Sequence, residues 1–69
     1  MVKATETQVA GDHYKSCKIQ PSEFIYANKL DWYEGNAVKY ICRHRFKGGK
    51  VDVEKAIHYL QMLLEVEYP

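Results

Sequence analysis

The chain has 69 residues, of which 46% are apolar and 28% charged, and its formal net charge is +1. That balance fits one small globular domain and argues against a disordered tail, a membrane span or a strongly basic duplex-binding domain. A chain this short buries only about 60% of the surface its unfolded form exposes, so association with copies of itself is the expected source of further burial.

Two cysteines, Cys17 and Cys42, do not make the disulfide framework of a small secreted protein, and no signal-like apolar segment is present. A cytoplasmic location is therefore expected. Residues 1–12 are polar, aperiodic and contain Gly11, which reads as a flexible arm ahead of a single domain over 13–69. Pro21 stands where a first helical turn tolerates it, and the first helix is expected from there to about Leu30, with Phe24, Ile25, Ala27 and Leu30 as its apolar contacts.

Asp31 and Glu34 form a capping-box pair that starts a second helix, expected from about Trp32 to Arg45. Tyr33, Ala37, Tyr40, Ile41 and His44 share one arc of about 100° and form its core stripe. Gly48 and Gly49 break it. Asp52 is the expected N-cap of a third helix running to about Val66, with Val53, Ala56, Ile57, Leu60, Leu63 and Leu64 as the core stripe. Tyr59, Met62 and Val66 widen its apolar surface to about 220°, more than two partner helices cover, and are the expected subunit interface. The fold reading is all-α: three helices and a less regular N-terminal segment, assembled as a homo-oligomer.

Charge is segregated along the chain. The window Gly35–Val51 holds Lys39, Arg43, Arg45, Lys47 and Lys50 and no acidic residue, and the rest of the chain is net acidic. Such a block attracts phosphates or is simply a solvated face. Within it, Trp32, Asn36, Lys39 and Arg43 fall within about 60° of one another on the second helix. An aromatic plate, an amide, a point charge and a bidentate guanidinium are the groups a nucleotide needs, with Gly35 leaving room beside them. An ordinary polar face with an amphipathic tryptophan accounts for the same stripe. Lys47, Gly48 and Gly49 precede a helix N-terminus and form a second anion candidate, although the spacing is not that of a P-loop and a plain helix C-cap explains the glycines as well. His13 and Tyr14 are candidates to close over a ligand.

No metal, cofactor or catalytic residue is expected. Cys42 and His44 lie about 200° apart on a helix and cannot share a zinc ion with His13 and Cys17. Asp12, Asp31, Glu34, Asp52 and Glu54 are the carboxylates available to hold magnesium, and three of them look committed to helix starts.

The strings Asp12-His13-Tyr14-Lys15 and Ile19-Gln20-Pro21-Ser22-Glu23-Phe24-Ile25 lead into an EGNxxKYxxRxxxKGG stretch from Glu34 to Gly49, followed by DxxKAxxYL from Asp52 to Leu60. Together they resemble the SaV-like family of small phage proteins, over about residues 12–65. A similar region occurs within a coliphage nucleotide kinase. The resemblance implies nucleoside monophosphates as ligands of the Asn36, Lys39, Arg43 and Lys47 positions, and the host bacterial cytoplasm as the setting. Three functions compete: a nucleotide-binding protein that sequesters an immune signalling nucleotide without turnover, a nucleotide kinase or other phosphate-handling enzyme, and, least favoured, a nucleic-acid binder.

Overall fold

The computed structural model describes residues 17–69 as three helices: α1 over Pro21–Ala27, α2 over Trp32–Arg43 and α3 over Lys50–Glu67. Helix α1 begins on Pro21 and stops earlier than its apolar spacing suggests. Lys29 turns left-handed (φ 55°), and the N–H groups of Lys29 and Leu30 donate back to the carbonyls of Tyr26 and Ile25. That is a Schellman cap with lysine in the place glycine usually takes. The capping box of α2 forms as expected: the Glu34 N–H donates to Asp31 Oδ1 at 2.8 Å, and the Asp31 N–H donates to Glu34 Oε1 at 3.0 Å.

Helices α2 and α3 form an antiparallel hairpin, and α1 lies across α2. The α1–α2 approach is set at Gly35, where a Cβ would stand 3.0 Å from Ile25 Cγ2. The room beside Gly35 admits this chain's own isoleucine, and Gly35 also lines a groove that it shares with Trp32, Asn36 and Lys39. The α2–α3 approach is set by small side chains: Asn36 and Ala37 on α2 and Asp52 and Ala56 on α3 are buried, the last two to 1% exposure.

This close seam fixes the rotation of α3 differently from its apolar pattern. Ile57, Leu60 and Leu64, expected in the core, are 49%, 46% and 58% exposed, whereas Tyr59 and Met62, expected at an outer interface, are half-buried. Ile41 is likewise half exposed rather than part of the core. Ala56 can approach another backbone closely where a leucine cannot, so the helix turns its smallest side chains inward and its aliphatic stripe sideways. Among the described residues the buried apolar side chains are Pro21 at the start of α1, Ala37 and Ala56.

Asp52 does not cap α3. Gly49 occupies the N-cap with φ +55° and ψ −130°, and α3 starts three residues earlier than expected, at Lys50. No helix among the described residues is long and apolar enough to cross a membrane.

Candidate functional site

The α2–α3 hairpin ends in a buried polar knot. Asp52 sends one carboxylate oxygen to two donors: Arg43 Nε at 3.0 Å and the Gly48 N–H at 2.8 Å. A Cβ on Gly48 would collide with that carboxylate, so the glycine is required by the contact. Burial pushes the Asp52 carboxyl upward, but the hydrogen bonds from Arg43 and Gly48, with the charges of Arg43 and Lys55, outweigh it and hold the group below its ordinary 3.8. Oδ1 of Asp52 is buried with no hydrogen-bond partner among the described residues.

The knot involves two of the expected binding positions. Arg43 is mostly covered rather than exposed and is ion-paired within the chain through Nε. At the Lys47–Gly49 turn, five backbone donors are engaged within the chain. The Gly48 N–H is taken by Asp52, the Gly49 N–H donates to the His44 carbonyl, and those of Val51, Asp52 and Val53 donate to the Gly48 and Gly49 carbonyls. Lys47 is exposed beside it.

Above the knot the same flank of the hairpin opens into an aromatic and cationic seam. Tyr40 of α2 stacks on Tyr59 of α3, ring centres 5.9 Å apart and planes 18° apart. Trp32, 69% exposed at the start of α2, meets Tyr59 edge-on at 6.3 Å, and His58 meets the same ring edge-on at 6.5 Å. Three cations surround the Tyr40 ring: Lys39 Nζ at 4.5 Å, Lys55 Nζ at 5.2 Å and Arg43 Cζ at 5.3 Å. Arg43 is neutralised by Asp52, whereas among the described residues no carboxylate lies within ion-pairing distance of Lys39 or Lys55.

Two grooves flank this stack. One of about 470 Å³ is bounded by Ile25, Trp32, Asn36 and Lys39, and the other, of about 440 Å³, by Tyr40, Lys55, His58 and Met62. The structure thus brings Trp32, Asn36 and Lys39 together as their spacing suggests, although Asn36 is buried and spends an amide N–H on the Trp32 carbonyl at 2.8 Å. Lys55, Tyr40 and Tyr59 belong to the site but are not legible as such from spacing on one helix. Lys55 and Tyr59 are four residues apart on α3, and that pair is the signal that could have located the seam. Val66 is exposed toward the end of α3. His13, Tyr14 and the 1–12 arm lie outside the described residues.

Among the described residues no cluster of three or more His, Cys, Asp or Glu side chains could hold a metal ion. No curated protein and no solved structure matches the chain. Residues 8–61, more than half of the sequence, match the family described as a protein of unknown function (DUF3310), and the chain belongs to that family.

Proposed function

We propose that the protein binds a nucleotide, or another phosphorylated small molecule with a planar group, on the cationic seam and holds it without turnover. The observation that carries this reading is the gathering of Lys39 and Lys55 on the Tyr40 ring, itself stacked on Tyr59, with no carboxylate within ion-pairing distance of either lysine among the described residues. Two ammonium groups crowded on a half-buried aromatic pair gain from an anion between them, and charge-assisted contacts to phosphate are about twice as strong as neutral ones. The exposed face of Trp32, one groove away, suits a base or other planar ring.

Holding rather than converting the ligand is supported by three of the four nearby carboxylates being engaged within the fold, the fourth being Glu54 beside Lys55. Asp52 serves Arg43 and Gly48, and Asp31 and Glu34 serve each other's backbone. In a phage protein of the kind the sequence resembles, such binding would sequester a signalling nucleotide in the host cytoplasm. The chain does this as a homo-oligomer, a reading supported by a protomer core that reduces to two alanines and a proline among the described residues.

The test is calorimetric titration with nucleoside mono-, di- and triphosphates and cyclic dinucleotides. Stoichiometric binding of at least one, lost in the Lys39→Ala/Lys55→Ala double variant, is expected. A panel with no binder overturns the reading, and diphosphate formed over many turnovers from ATP, magnesium and a monophosphate overturns the absence of turnover.

A further inference from the structure

The flank of the hairpin opposite the cationic seam is aliphatic. Helix α3 meets α2 through Asp52, Ala56 and Tyr59. At 100° per residue, Val53, Ile57, Leu60 and Leu64 lie about 100° round from that contact in one direction, and Lys55 and Met62 about as far in the other. Because α2 runs antiparallel, Ala37 and Ile41 come to the aliphatic side, just as Lys39 comes to the side of Lys55. On that side of α2, Ala37 and Ile41 line a groove of about 420 Å³ with Ile19, Pro21, Phe24 and Val38.

We infer that this face, and not the Tyr59–Met62–Val66 side, is where a second copy of the chain docks, α3 against α3, which rests on the reading that the chain self-associates. Three observations select that occupant. Val53, Ile57, Leu60 and Leu64 are spaced 4-3-4, the heptad seam that packs against another helix carrying the same seam, and α3 is such a helix. Ile19, Phe24, Ile41, Ile57, Leu60 and Leu64 are each about half exposed and leave roughly 500 Å² of apolar surface, near the upper end for a monomer's largest patch. Two such faces pressed together bury about 1,000 Å², the size at which a specific interface begins. None of these positions is charged, so two copies meet there without like-charge repulsion.

The assembly leaves the cationic seam open on each protomer, facing away from the partner. Sedimentation velocity on the full chain tests the placement. Wild type is expected to sediment above the 8.1 kDa monomer. Ile57→Glu with Leu60→Glu should weaken the association about a hundredfold or more, and Val66→Glu should leave it within about threefold.

A wild-type monomer at about 50 μM overturns self-association itself. An oligomer that survives the Ile57/Leu60 pair but dissociates on Val66→Glu overturns only the choice of face. Should the double glutamate variant unfold, Leu60→Cys in a Cys17→Ser/Cys42→Ser background keeps the question open to decision. Two Cys side chains close to a two-fold axis form an intermolecular disulfide under mild oxidation. A wild-type oligomer whose Leu60→Cys variant never cross-links overturns the α3–α3 contact.

Discussion

Arg43 and Lys39 sit one turn apart on the same face of α2, and both lie near the Tyr40 ring, yet they belong to different chemistry. Arg43 is drawn into the knot at the turn end of the hairpin, where Asp52 and the Gly48 N–H fix it. Lys39 stands over the middle of the seam with Lys55 opposite and no acid within pairing distance among the described residues. A stripe of cations on a helix therefore does not announce its role. The partner supplied by the other helix decides whether a charge holds the fold or remains for a ligand.

The largest expected effect comes from cutting the knot. Asp52→Ala removes the carboxylate that Arg43 Nε meets and the acceptor of the Gly48 N–H, and removal of one partner of a buried pair is costly. The melting temperature should fall by on the order of 10 °C, or cooperative unfolding should disappear altogether, as read by circular dichroism. A variant that melts like wild type would make the knot an ordinary surface pair and erase the contrast with Lys39.

The two glycines of the turn sharpen the picture next, because they are needed for different reasons. Gly49→Ala meets nothing in space but is strained at φ +55° and ψ −130°, costing about 1–3 kcal/mol. Gly48→Ala is hindered by Asp52 itself, so its cost should shrink in an Asp52→Ala background, while that of Gly49→Ala should stay the same. Thermal denaturation of the four combinations reads the coupling directly. Additive losses at position 48 would show that its glycine does not serve Asp52.

What was legible in the sequence divides along the same line. The capping box, Pro21 and the paired glycines are local signals, and each lies where the chain's own residues place it. The rotation of α3 is not local. With apolar side chains over some 220° of its surface, periodicity allows several facings, and the one adopted is chosen by Ala56 and Asp52 meeting Asn36 and Ala37. Asp52 three residues after a glycine pair reads as a helix cap from spacing alone. Its pairing with Arg43, nine positions earlier, appears only when the two helices are folded against each other. The same blindness hides Lys55 from any search confined to α2.

Acid should expose the knot more gently than mutation. The Asp52 carboxyl titrates lower in the folded chain than its ordinary 3.8, so its contribution is fully present above the unfolded value and disappears as pH falls through the folded one. Melting temperature should drop below about pH 4 more steeply in wild type than in Asp52→Asn, which has no carboxyl to protonate. Parallel curves would mean that other carboxylates carry the acid limb.

The smallest expected change in stability is also the one that most separates the two cations. Lys39→Ala removes a cation–π contact over the half-buried Tyr40 ring, worth about 0.5–1 kcal/mol, but it also relieves repulsion among three positive groups gathered on Tyr40. These contributions oppose each other, and alanine is the better helix former, so stability should stay within about 0.5 kcal/mol of wild type. Affinity for a phosphorylated ligand should fall about tenfold in the same variant, since one charge-assisted contact is lost. The combination of an unchanged fold and a weakened ligand is the signature of a charge kept for binding. If Lys39→Ala instead destabilised the chain as Asp52→Ala does, Lys39 would belong to the scaffold, and the ligand reading would have to stand on Lys55 and Trp32 alone.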